Sequence, residues 1–215
     1  MVPIMPMVPM VPIMPIMSMV PIMPIERASP PKKEIITKKS YKINHMELES
    51  KVLSREIQTM FYESGKTLGT AESCTGGRIA ECIIAVPGAS EYFKGAIVSY
   101  TNEVKENLLG VDHQLLEEKT AVCPEVAEEM VRGAIKALNV DYAISATGIA
   151  GPGGGTKDIP VGTIYIGFGT ADDVRTIMLT EDEGRDKNLA HATNQALQAF
   201  LQFIKEKIEL PQHEG

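Results

Sequence analysis

The sequence predicts a three-layer α/β/α domain around a parallel or mixed central sheet, spanning residues 46–215 of the 215-residue chain. Two observations carry this expectation. Short apolar, β-branched runs alternate with stretches of helical spacing, the pattern of an α/β layer fold. Near the end, the runs Val161–Gly169 and Val174–Thr180 flank an Ala171-Asp172-Asp173 turn and read as a strand pair, which adds an antiparallel element.

The elements follow in order. Leu48, Val52, Leu53, Ile57, Met60 and Phe61 recur at helical spacing and mark a first helix. A strand over Thr67–Ala71 and a helix over Thr75–Ala85 come next, the helix carrying Ile79, Cys82, Ile83 and Val86 along one face, then a Pro87-Gly88 turn. Ala96–Thr101 reads as a second strand and Asn102–Leu109 as a helix, followed by a polar connection that holds His113. Pro124 suits the first turn of a helix whose apolar face is Val126, Met130, Val131, Ile135 and Leu138. Asp141–Thr147 is a third strand and opens into the glycine-rich run Gly148–Gly155. After the strand pair, a last helix from Asp186 to Ile208 turns Leu189, Leu197, Phe200, Leu201, Ile204 and Ile208 inward.

Residues 1–45 have another character. Val-Pro-Ile-Met-Pro repeats hold eight of the twelve methionines before Ile25, and a Lys- and Pro-rich linker follows from Arg27 to Lys42. Proline at this density removes backbone donors and forbids a continuous helix, so the leader is expected to be disordered and not to span a membrane. It also lacks the charged start and unbroken apolar core of a secretory signal. Docking of the leader on a partner as a polyproline segment is the other reading.

Charge narrows the function. The chain carries −7; its first 45 residues hold six basic and two acidic groups, so residues 46–215 carry −11. So acidic a domain is a poor nucleic-acid binder, because phosphate contacts need clustered Lys and Arg. Cys74, Cys82 and Cys123 show no CxxC spacing, which fits reduced cytoplasmic thiols and no zinc site.

Ser73 lies in Ala71-Glu72-Ser73-Cys74-Thr75-Gly76-Gly77, between a strand and a helix. A small nucleophile at such a turn, with amides from Cys74 to Gly77 able to face an oxyanion, has the parts of an acyl-transfer site. The same residues are ordinary helix-capping chemistry, and the run taken alone fits capping better. Tyr100 and Thr147 also fall at strand ends, so three polar side chains converge beyond one sheet edge if the strands are parallel neighbours. None of His113, His191 or His213 is well placed as a base. Lys105, five residues past Tyr100, can reach the same edge; as a base it needs a pKa well below the ordinary lysine value, and otherwise it is a solvated helix lysine. The glycine run lacks both Gly-Lys-Ser/Thr and a closed GxGxxG, leaving a flexible loop or a substrate wall. Arg185 offers a fork for phosphate or carboxylate, or is a surface arginine.

Together Glu72-Ser-Cys-Thr-Gly-Gly77, Tyr100-Thr-Asn-Glu-Val-Lys105 and Thr147-Gly-Ile-Ala-Gly-Pro-Gly-Gly-Gly155 with Pro160-Val-Gly-Thr163 resemble the C-terminal domain of CinA, whose stand-alone form is a nicotinamide-nucleotide amidase. The similarity covers residues 47–208 and leaves out the leader. It implies hydrolysis of nicotinamide mononucleotide to nicotinate mononucleotide and ammonia, with no metal or cofactor, in a homodimer. It also implies Ser73 as nucleophile, Lys105 as base and Tyr100 assisting in the proton network. Thr75, Gly76, Gly77, Thr147, Gly148 and Arg185 then hold the substrate. Family members usually show Gly-Asp-Arg where this chain has Glu183-Gly184-Arg185-Asp186, so the arginine's turn differs. Two other readings remain: a non-catalytic CinA-like protein-binding module tied to competence or DNA damage, and a thiol site on Cys74.

Overall fold

The computed structural model describes residues 38–208, with side chains from residue 48. The leader's methionine-rich repeats and His213 lie outside the described residues.

The elements are α1 (Lys38–Ser64), β1 (Leu68–Glu72), α2 (Arg78–Ile84), a 3-10 turn (Ala89–Glu91) and β2 (Phe93–Val98). Then come α3 (Asn102–Val104), running on as a π-helical turn over Lys105–Leu109, α4 (His113–Lys119) and α5 (Pro124–Leu138). The chain continues through β3 (Tyr142–Gly148), β4 (Ile164–Gly169), β5 (Val174–Leu179) and α6 (Arg185–Lys207). The strands form one mixed sheet in the order β2-β1-β3-β4-β5. β1 runs parallel to both β2 and β3, whereas β3–β4 and β4–β5 are antiparallel.

Side-chain alternation along the strands sends each face to its own helical layer. Leu68 of β1 joins Tyr142, Ile144 and Ala146 of β3 under α1, α2 and α6, where Phe61, Phe200 and Phe203 pack edge-on to Tyr142. Ala71 and Ala143 face the other way, onto Leu109, Leu116, Val126, Met130 and Val131 of the π turn, α4 and α5. The expected three-layer α/β/α architecture with a mixed sheet is thus present.

Several boundaries differ from expectation. α1 begins at Lys38, inside the stretch assigned to the linker, where lysines and a proline-free run permit helix. Leu48 and Val52, expected inward, are exposed; Ser50 and Ser54 take the buried positions instead. β2 ends at Val98 rather than Thr101, because the Thr101 hydroxyl accepts from the Val104 amide and starts α3. The polar connection after residue 109 holds a helix, α4, capped by the Asp112 carboxylate accepting from the Leu115 amide at 2.8 Å. β4 starts at Ile164, three residues later than expected, since the Gly162 amide turns back to donate to Ile149 O.

Candidate active site

The parallel strands β1 and β2 end side by side, and the chain past their ends builds the site. The Ser73 amide donates to Ala146 O at 2.8 Å, and the Ser99 amide donates to Glu72 O at 2.8 Å. One more step of strand alternation past β1 puts Ser73 on the Ala71 side, facing the π turn. That turn opens with Lys105, whose amide donates to Thr101 O. π-helical turns displace a side chain from the regular helical row and are frequent at functional sites. Here the displaced chain is Lys105, buried to 1 % exposure.

Lys105 Nζ lies 3.0 Å from Ser73 Oγ and donates to Ser99 O at 2.8 Å. Ser73 itself is 8 % exposed. Burial pushes the Lys105 amine down from its ordinary pKa, opposed by the charge Cys74 would carry as a thiolate. That opposition lapses at neutral pH, because burial pushes the Cys74 thiol up to about 12 and keeps it protonated. The pair therefore contains a hydroxyl beside an amine biased toward its neutral, proton-accepting form.

The amides near Ser73 are already partly committed. Gly76 N donates to Ser73 O and Arg78 N to Thr75 O. Gly77 N and Ile79 N donate to Glu72 Oε2 at 2.9 and 3.1 Å, and Ala80 N to Glu72 Oε1 at 2.9 Å. The Thr75 hydroxyl also donates to Glu72 Oε2, at 2.7 Å. Gly76 and Gly77 hold φ of 61° and 99°, the left-handed region that glycine favours, so both shape the turn. The amides of Cys74 and Thr75 lie against the Cys74 sulfur, a weak acceptor, and meet no carbonyl or carboxylate among the described residues.

The other expected site residues divide. Tyr100 is 64 % exposed, two residues past β2, and its hydroxyl has no hydrogen-bond partner among the described residues. It makes no hydrogen bond to Ser73 or Lys105 among the described residues. Thr147 is buried, and its hydroxyl donates to Ala121 O at 2.7 Å, tying β3 to the approach of α5. Gly148 faces β4 so closely that an added Cβ would lie 2.5 Å from both Ile164 Cα and Thr163 O. Arg185, exposed at the start of α6, donates from Nη1 to Gly151 O at 2.8 Å, and the Asn188 amide donates to Ala150 O at 3.1 Å. These two side chains hold the glycine-rich loop against α6.

His113 is on the surface beside Glu106, which raises its pKa by a hydrogen bond, and His191 lies within α6. Neither contacts Ser73. Cys74, Cys82 and Cys123 form no disulfide among the described residues. Glu72 was missed as a site residue; its signal is an acid at the end of an otherwise small and apolar strand, just before the serine.

A mixed α/β sheet with a buried serine–lysine pair beyond two parallel strand ends defines the class: an α/β protein with that pair at the carboxyl edge of its sheet. Its family follows from comparison, since residues 50–204 match the model of the CinA C-terminal domain and the chain belongs to that family. A "CinA-like protein" of Leptospira borgpetersenii is 53% identical over 118 residues, 55% of this chain and 28% of that one. A "CinA-like protein" of Fusobacterium nucleatum is 46% identical over 146 residues, 68% of this chain and 35% of that one. The chain thus spans well under half the length of these curated relatives. The crystal structure of the competence/damage inducible protein CihA from Agrobacterium tumefaciens superposes with a TM-score of 0.70 at 33% identity, covering 72% of this chain and 94% of that one. The competence damage-inducible protein A of Klebsiella pneumoniae matches with the same TM-score at 28% identity, covering 73% and 97%.

Proposed function

We propose that the chain is a nicotinamide-nucleotide amidase, hydrolysing nicotinamide mononucleotide to nicotinate mononucleotide and ammonia. The observation that carries the chemistry is the 3.0 Å approach of Lys105 Nζ to Ser73 Oγ inside the protein. The substrate rests on the family resemblance in the motifs around Ser73, Lys105 and Thr147.

Neutral Lys105 takes the Ser73 proton as Oγ bonds to the carboxamide carbon. The carbonyl oxygen becomes an oxyanion, for which the turn from Cys74 to Gly77 is the proposed source of a backbone donor, a contact worth roughly 2.7–4 kcal/mol in a well-studied protease. Collapse breaks the C–N bond, and the proton on Lys105 leaves with ammonia, giving a Ser73 ester. Water then gives a proton to Lys105 and adds to the ester carbon. Breaking the C–O bond returns that proton to Ser73 and frees the acid.

The pyridinium ring carries positive charge, which suits an acidic domain. Arg185 and the glycine-loop amides face the substrate phosphate, and Tyr100 stands at the mouth. The enzyme works as a cytoplasmic homodimer in pyridine nucleotide recycling. Ammonia release from nicotinamide mononucleotide by the full chain tests this reading, with Ser73→Ala as the blank; a folded wild type that releases none would leave a binding module instead.

A further inference from the structure

Glu72 is fully buried, yet no step of the chemistry above uses it. Its two carboxylate oxygens accept five hydrogen bonds. Oε2 takes Thr75 Oγ1, Gly77 N and Ile79 N; Oε1 takes Ala80 N and, at 3.2 Å, Thr70 Oγ1. The three amides among these partners can only donate, and they reach both oxygens, so each oxygen of Glu72 serves as an acceptor. Its charge also complements the positive end of α2.

The backbone of Glu72 is as constrained as its side chain. Its carbonyl accepts from the Ser99 amide, and the next amide, of Ser73, is bonded to Ala146 O. Lys105 Nζ in turn touches two atoms, Ser73 Oγ and Ser99 O. Both contacts of the lysine therefore belong to residues joined directly to Glu72, one by a peptide bond and one by a hydrogen bond. The carboxylate grips the turn from the far side, through Thr75 and the start of α2.

We propose that Glu72 is the positioning residue of the Ser73–Lys105 pair, an internal anion that fixes the serine turn and Ser99 together so that nucleophile and base stay in register. This rests on Ser73 acting as a nucleophile but not on the identity of the substrate. By claiming the amides of Gly77, Ile79 and Ala80, Glu72 also takes these donors out of reach of a substrate oxygen. Gln at this position keeps the shape but brings an NH2 group against backbone donors and leaves at least one buried amide unpaired.

The experiment uses the full chain with Glu72→Gln and Thr70→Val, the latter removing one donor to Oε1 at nearly constant volume. Each is treated with excess fluorophosphonate, in which Ser73 Oγ displaces fluoride from phosphorus, and with nicotinamide mononucleotide. Glu72→Gln is expected to lower the labelling rate constant and kcat together, on the order of 10–100-fold, since small misplacements of reacting groups have effects of that size. KM stays within about threefold and the labelling amplitude stays complete. Thr70→Val falls in the same direction by about threefold. Glu72→Gln with an unchanged rate constant, whether its amplitude is full or reduced, overturns the proposal, because a merely structural role changes how much protein is active and not how fast it reacts. If Glu72→Gln does not fold, an unchanged rate constant in Thr70→Val overturns it equally. A wild type that is labelled on Ser73 but releases no ammonia refutes the substrate alone. A folded wild type that is not labelled refutes the nucleophile and this proposal with it.

Discussion

Lys105 Nζ stands 3.0 Å from Ser73 Oγ although the two residues come from different strand ends, 32 positions apart in the chain. The strand ends β1 and β2 bring them near, and the π turn swings the lysine inward. Burial then does the chemical work on the amine, lowering its proton affinity. Placement and reactivity thus have one origin.

Replacing the base tests this directly. Lys105→Ala is expected to lower kcat on the order of 10²–10⁴-fold, the usual range for a general base, with KM little changed. Lys105→Arg, which retains charge and cannot act as a base, is expected to be as poor. Steady-state ammonia release checks both.

The same burial sets a pH dependence with a defined sign. The proposed mechanism needs neutral Lys105, whose folded pKa is lowered, so kcat/KM is expected to rise with pH along a limb that lies below the ordinary lysine range. For stability, the folded state releases this proton at lower pH than the unfolded chain. Stability from this group is full above the unfolded pKa and declines as pH falls toward the folded one. Lys105→Met, which removes the buried charge, should therefore raise Tm relative to wild type most at neutral pH and least at strongly alkaline pH. Melting curves across that range check it; a gain that grows with pH would reverse the sign.

Cys74 adjoins Ser73 but is buried, with its pKa pushed up to about 12. Cys74→Ala is expected to keep kcat within about threefold, as a group outside the transition state should. Alkylating reagents should leave the folded wild type active. Loss of turnover on alkylation of Cys74 would restore the thiol reading.

Gly148 and Arg185 allow packing to be separated from the proposed substrate contact. Gly148→Ala drives a Cβ into the β4 backbone and is expected to destabilise by roughly 1–3 kcal/mol in denaturant titration, the range for overpacking. Arg185→Ala frees Gly151 O and the glycine-rich loop, so KM should rise about tenfold while kcat changes less. Arg185→Lys can still donate to Gly151 O but loses the planar fork, and should fall between.

Much of this was legible in the chain itself. Ile79 and Ile83 in α2 and Leu197, Phe200, Leu201 and Ile204 in α6 are buried at the spacing that marked them. The Ser73 turn and Lys105 stand out by residue type and by their place after strands. What escaped has physical reasons. α4 is seven residues of mostly polar His-Gln-Leu-Leu-Glu-Glu-Lys, too short to show a period, and only its Asp112 cap signals it. The π turn leaves no period in five residues, so nothing local signals that Lys105 is buried. A strand running to Thr101 places Tyr100 at its end beside Ser73 and Thr147; the strand ends at Val98 instead, and Tyr100 is exposed. Glu72 bonds amides five to eight residues later, a pairing no local pattern displays.

The central claim is that Ser73 and Lys105 together cleave an amide. Incubating wild type and Ser73→Ala with nicotinamide mononucleotide, and measuring ammonia and nicotinate mononucleotide together, tests it most directly. The predicted result is equal amounts of both products from wild type and none from Ser73→Ala. Turnover that survives in folded Ser73→Ala would contradict it.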